Sequence, residues 1–212
     1  NLSLNAKGDV LDILFISDLH VTEVTNKVIK RMNAVYEYCA QNGIKYIMDL
    51  GDLFDLTRSS VFNAETYSEH QKLLDAIVRH FPQDDSIVHF VLGGNHDRNA
   101  TAFGLDSIEE LASRRKDIVS LGYSHSTLGI NGNKNNELIG LHHPNGWVVD
   151  TIDDFDLGAS RINNYLESSC NGLDRNYIDI FGHTHKTLFN FPESYCFIPS
   201  FFDKRAYFNF SI

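Results

Sequence analysis

Apolar and polar positions fall into blocks along the chain, and the blocks change character near its middle. Leu11 to Ser17 is an apolar run that opens into Asp18-Leu19-His20, which predicts a buried strand with polar residues at its end. Val28, Met32, Val35 and Cys39, with Ile29 and Tyr36 beside them, then recur at helical spacing. Asn26 is the expected N-cap of that helix and Gly43 its expected stop. Ile44 to Leu50 is a second strand-like run, ending in Gly51-Asp52-Leu53-Phe54-Asp55. Strand, helix, strand in this order predicts parallel neighbours in one sheet. A helix over 63–81 follows on Tyr67, Leu73, Leu74, Ile77 and Val78, and a strand over 87–92 runs into Gly93-Gly94-Asn95-His96-Asp97. Ser107 with Glu110 predicts a capping box for a short helix through Leu111.

Beyond that helix the texture becomes strand-rich. Short strands are expected over 118–121, 127–130 and 137–141, with a turn at Asn131-Gly132-Asn133. The last of them ends in His142-His143-Pro144. A short helix over 160–169 rests on Ile162, Tyr165 and Leu166. A strand over 177–181 ends in Gly182-His183-Thr184-His185, and closing strands are expected over 188–191, 195–198 and 206–212. Residues 1–9 are polar and expected to be frayed. With no internal repeat or linker, 1–212 is read as a single domain. Because it begins at Asn1 rather than Met, it is also read as a chain that could be a trimmed fragment.

Composition narrows the classes. The 212 residues are 42% hydrophobic with 15 Phe and 9 Tyr, enough to build a core. A formal charge of -10 argues against tight nonspecific binding to duplex DNA or an anionic membrane. It does not exclude a nuclease, because bound divalent cations add local positive charge. Cys39, Cys170 and Cys196 form no CxxC pair. They read as buried or half-buried free thiols in a reducing compartment, which places the chain in the cytoplasm. No apolar stretch is long enough to span a bilayer, and there is no secretory apolar region at the start. Phe201 and Phe202, beside Asp203-Lys204-Arg205, read as core aromatics flanked by solvated charges.

The candidate chemistry sits where the strands end. Asp18 and His20, Asp52, Asn95 and His96, His142 and His143, and His183 and His185 each follow an apolar run, and together they hold six of the ten histidines. Loops at the carboxyl ends of α/β strands can meet at one point. Glycines precede Asp52, Asn95 and His183, as close backbone approach to a crowded centre requires. Mixed nitrogen and oxygen donors suit Mn, Fe, Zn or Co better than Ca or Mg.

These blocks, D-x-H, G-D-x-x-D, G-N-H-D, a histidine after a strand, and G-H-x-H, resemble the calcineurin-like metallophosphoesterases over Asp18 to His185. The resemblance implies an α/β (α+β) fold, a four-layer α-β-β-α sandwich of two mixed sheets flanked by helices. It implies two divalent cations, with manganese the first expectation. Asp18, His20 and His185 would bind one ion, Asn95, His142 and His183 the other, and Asp52 would bridge them. His142 is preferred to His143 as the first histidine after its strand, and His143 is left to face substrate. His96 would protonate the leaving alkoxide or stabilise the phosphate, with Asp97 orienting its ring. Asp55 would support its loop, and Arg98 is a candidate substrate contact.

The implied reaction is hydrolysis of a phosphoester by a hydroxide held between the two ions. The expected substrate is a small or flexible phosphodiester or phosphomonoester. An SbcD-like DNA or RNA nuclease is the alternative enzyme, and a non-catalytic protein-binding scaffold of the same fold is the alternative class. Oligomeric state is not legible in the sequence.

Overall fold

The computed structural model describes residues 3–5, 10–56, 64–131, 138–144, 162, 164–166, 178–185, 187–190, 194–201 and 208–211. Eleven strands are described: β1 (Ser3–Asn5), β2 (Asp12–Ile16), β3 (Tyr46–Asp49), β4 (Val88–Gly93), β5 (Ile118–Tyr123), β6 (His125–Asn131), β7 (Leu138–His142), β8 (Ile178–Phe181), β9 (Leu188–Asn190), β10 (Tyr195–Phe197) and β11 (Phe208–Ser211). The helices are α1 (Asn26–Asn42), α2 (Ala64–His80), the single turn α3 (Asn95–Arg98) and α4 (Ser107–Arg114), with a 3-10 turn over Asn99–Phe103 after α3.

One sheet has the order β11-β2-β3-β4-β5 and the other β1-β6-β7-β8-β10-β9. In the first, β2 and β3 are parallel neighbours, as the strand-helix-strand reading expects, β4 and β5 continue the parallel order, and β11 closes the edge antiparallel to β2. In the second, β7 is antiparallel to β6 and parallel to β8, so this sheet is mixed.

Strand alternation divides the core into three layers. Ile13, Phe15, Met48, Leu50, Phe90 and Leu92 point from the first sheet toward Leu128, Ile139, Leu141, Ile178 and Ile180 of the second. Their neighbours Leu14, Ile16, Ile47 and Val91 face the other way, against Met32, Val35, Cys39, Leu74, Ile77, Ile108 and Leu111 of the helices. On the far side of the second sheet, Phe181, Tyr195 and Phe197 pack on Ile162 and Leu166. Mixed α/β architecture with two sheets flanked by helices is therefore what the chain adopts.

Several local expectations need correction. The N-cap of α1 is Thr25, whose hydroxyl accepts from the Val28 N–H at 3.3 Å; Gly43 does end the helix, in the left-handed conformation. The N-cap of α4 is Asp106, not Ser107. Asp106 accepts from the Glu109 N–H, and the Ser107 hydroxyl instead meets His70 Nε2 at 2.8 Å. Tyr67 lies exposed, off the core face of α2. Residues 3–5, within the stretch expected to fray, pair in parallel with β6 and bury Leu4. Phe201 is a core residue, whereas Phe202 to Arg205, Cys170, residues 132–137 and most of 160–169 lie outside the described residues.

Candidate metal centre

The parallel strands β2, β3 and β4 stop at one edge of the first sheet, and β7 and β8 stop beside them. The chain then turns sharply in a way that aims side chains back over the strand ends. Asp18, His20, Asp52, His183 and His185 all have positive φ, between 46° and 75°. That conformation is uncommon for residues other than glycine and persists only where surrounding contacts impose it. Here the contacts are backbone hydrogen bonds between loops: Asp18 N–H to the Gly51 carbonyl and His20 N–H to that of Asp52, each at 2.9 Å.

Two clusters of donor atoms result. In the first, Asp18, His20 and His185 converge. His20 Nε2 lies 3.2 Å from His185 Nε2, while Asp18 Oδ1 lies 3.3 Å from His185 Nε2 and 3.8 Å from His20 Nε2. In the second, Asp52, His143 and His183 converge. His143 Nε2 lies 3.2 Å from Asp52 Oδ2 and 3.1 Å from Asn95 Oδ1. Asp52 Oδ2 is also 3.9 Å from His20 Nε2, so this carboxylate stands between the clusters.

The surrounding groups fix each donor. The Ser17 hydroxyl and the His183 N–H, at 2.9 Å, both donate to Asp18 Oδ2. Asp18 Oδ1 is left buried with no hydrogen-bond donor among the described residues. A buried carboxylate oxygen facing imidazole nitrogens is costly unless something positive occupies the space. The His96 N–H donates to Asp52 Oδ1 at 2.8 Å, leaving Oδ2 toward the histidines. His143 Nδ1 donates to the Leu50 carbonyl at 2.6 Å, which directs Nε2 into the cluster. A second-sphere bond of this kind is how a metal-ligating histidine is usually held.

Glycine is needed at the walls. A Cβ on Gly94 would lie 2.2 Å from Asp52 Oδ1, and one on Gly182 2.2 Å from the Ser17 hydroxyl. Carboxylate, amide and imidazole donors, one orphaned buried oxygen and walls without side chains fit a pair of divalent cations.

Charge in the cluster is strongly coupled. Burial would raise the Asp18 carboxyl, but His185, His143 and the Ser17 hydroxyl hold it below its ordinary value. Burial would lower His143, yet Asp52, Asp18 and the Leu50 carbonyl push it up to about 9. Burial lowers both His20 and His183.

Three expectations change. His142 does not reach either cluster: it is the last residue of β7, paired in register with Phe181 and facing the outer side of the sheet. There Nε2 meets Asp179 Oδ1 at 2.8 Å and the ring stacks on Phe181 at 4.6 Å. His143, the first residue off the strand, takes the place expected of His142. Asp97 does not orient His96. Wholly buried, it accepts from the N–H groups of Gly94, Phe54 and Leu53, tying the Gly51–Asp55 loop to α3. Burial and the nearby Asp52 charge raise its carboxyl. The partner of His96 is Asp55, whose Oδ1 lies 2.8 Å from His96 Nδ1. Arg98 is exposed, with its guanidinium carbon 5.7 Å from the Tyr123 ring centre. Sequence reasoning missed the part of Ser17, which only its place beside Asp18 could have signalled.

The model of the calcineurin-like phosphoesterase family matches residues 11–187, which includes every strand end just described. The chain belongs to that family. Among solved structures, this phosphoesterase domain is similar to GAP50, the anchor in the inner membrane complex of Plasmodium, at 11% identity and a TM-score of 0.45. That match covers 81% of this chain and 54% of the other. It is also similar to the Pseudomonas putida nuclease MPE, at 15% identity and a TM-score of 0.42, over 92% of this chain and 76% of the other. The chain thus spans about half the length of the GAP50 chain. A comparison with curated proteins gives no match. Among the described residues, no helix is long and apolar enough to cross a membrane.

Proposed function

We propose that this phosphoesterase domain is a dinuclear-metal hydrolase acting on a small or flexible phosphodiester or phosphomonoester, with 1–212 working as one domain. Asp18, His20 and His185 would hold one cation and Asn95, His143 and His183 the other, with Asp52 reaching both. Manganese is the proposed ion. When bound, two such cations supply Lewis-acid charge for the phosphoryl oxygens and acidify water. The observation that carries the reading is the pair of adjoining donor clusters sharing Asp52, with the orphaned Asp18 Oδ1 in one of them.

The remaining groups have separable tasks. His96, with Nδ1 given to Asp55, keeps Nε2 to pass a proton to the leaving oxygen. Its backbone N–H holds one Asp52 oxygen, so proton donor and ligand are set by the same residue. Asp97 fixes the two loops that carry them. Ser17 and the His183 N–H hold Asp18 in one rotamer, which limits rearrangement when charge builds up on the substrate. No side-chain nucleophile is required. Cys39 and Cys196 are free and buried, with thiols pushed up to about 12 by burial, which keeps them out of the chemistry.

Manganese-loaded chain should hydrolyse bis-p-nitrophenyl phosphate or p-nitrophenyl phosphate. A His96→Ala variant should lose roughly 100-fold or more in kcat while keeping its ions. Loaded chain inert toward both esters would contradict the reading. Cleavage of single-stranded DNA alongside inert small esters would overturn its substrate class.

A further inference from the structure

A third set of metal-competent atoms adjoins the two clusters. Asp55, His20 and His96 each offer one donor, and the three lie within 4.8 Å of one another. Asp55 Oδ1 is 2.8 Å from His96 Nδ1 and 3.7 Å from His20 Nδ1. In a tetrahedral zinc site with bonds of 2.0–2.1 Å, ligand atoms stand about 3.3 Å apart, midway between those separations. Two imidazoles and one carboxylate are also a donor set that zinc accepts, with water completing the tetrahedron. The side chains of Asp55 and His96 are 29% and 31% exposed, so an ion can arrive from solvent without opening the core.

We propose that Asp55, His20 and His96 form a third, weaker cation position, selective for zinc, whose occupation inhibits the enzyme. The inference rests on the functional reading above. His20 faces both ways: its Nε2 looks toward Asp18, Asp52 and His185, while its Nδ1 looks toward Asp55. A third ion therefore draws on an imidazole that already serves the first, must displace its remaining proton, and binds more weakly than either ion of the pair. It also takes the Asp55 oxygen and the His96 nitrogen that hold the proton donor in place. Two protons leave to solvent as the ion binds, the one on the His96–Asp55 hydrogen bond and the one His20 keeps on Nδ1 while Nε2 serves the first ion, so that His20 becomes an imidazolate shared by two cations. Mg²⁺, which prefers oxygen ligands in octahedral array, is excluded by the two imidazoles.

Equilibrium dialysis of the full chain against zinc, followed by elemental analysis, reads the site directly. Wild type should reach three zinc ions per chain, the last with lower affinity, and the activity gained with two should fall as the third binds. Asp55→Asn and His96→Gln should each retain two ions and weaken the third at least about tenfold, as loss of a supporting or direct ligand does elsewhere. Thermal melts show that both variants are folded. Wild type saturating at two ions, or a third ion that persists in both variants, would overturn this inference and leave the functional reading standing. No bound zinc at all would remove both.

Discussion

His142 and His143 are adjacent in sequence yet face opposite sides at the end of β7, and their replacement should separate two kinds of loss. His143→Ala removes a cluster donor and should abolish binding of one ion and reduce kcat at least about 100-fold, read by elemental analysis and ester hydrolysis. His142→Asn breaks the buried pair with Asp179, costing roughly 1–3 kcal/mol in urea unfolding, with two ions still bound. Which histidine enters the site was half legible. The first residue off the strand is the one that enters the donor cluster; what differs from the sequence reading is where the strand ends. The apolar run stops at Leu141, but β-pairing carries on through His142, opposite Phe181. Parity held the signal, since Leu141 faces the inter-sheet core and His142 must face away. The exchange of Asp55 for Asp97 as the partner of His96 was not legible, because both carboxylates lie in the motifs and only the fold shows which one is used up by backbone N–H groups.

At the scale of elements, the glycine-lined loops do as much as the ligands. A Cβ on Gly94 would meet the Asp52 backbone nitrogen at 2.5 Å as well as its side chain, so no rotamer change relieves the clash. Gly94→Ala should therefore lose ion binding and activity together without touching any donor atom. The measurement is ion stoichiometry by elemental analysis, and a variant that still binds two ions contradicts the argument. Helix α1, by contrast, is ordinary. Thr25→Ala should cost about 1 kcal/mol of stability and leave activity unchanged. The helices and inner strands were legible because their apolar periods are long and regular. Caps shifted by one residue in α1 and α4, where several small polar residues compete for the same N–H. The edge strand β1 escaped notice because three residues with one buried side chain carry no period.

For the whole molecule, the acid limit of the metal-free chain should depend on a histidine far from the centre. His89 is buried against Tyr36, whose hydroxyl lies 3.2 Å from its Nδ1, and beside the Arg115–Asp117 pair. Burial depresses it to about 4, only partly opposed by Asp117. It is thus neutral when folded, whereas the unfolded chain takes up a proton near pH 6.5. The associated stability is fully present above that pH and is lost progressively as pH falls toward 4, on the order of 3 kcal/mol. The buried Asp49 carboxyl, raised by burial, has the opposite slope, so the comparison must be with His89→Gln. That variant should show a flatter urea midpoint between pH 6.5 and 4; an unchanged slope would contradict the assignment. The account as a whole rests on strand ends from two sheets holding two ions at Asp52, and anomalous diffraction from crystals grown with Mn²⁺ tests that most directly. Two peaks should appear about 3.5–4 Å apart, one among Asp18, His20 and His185 and the other among Asn95, His143 and His183. A single peak, or none at these residues, would contradict it.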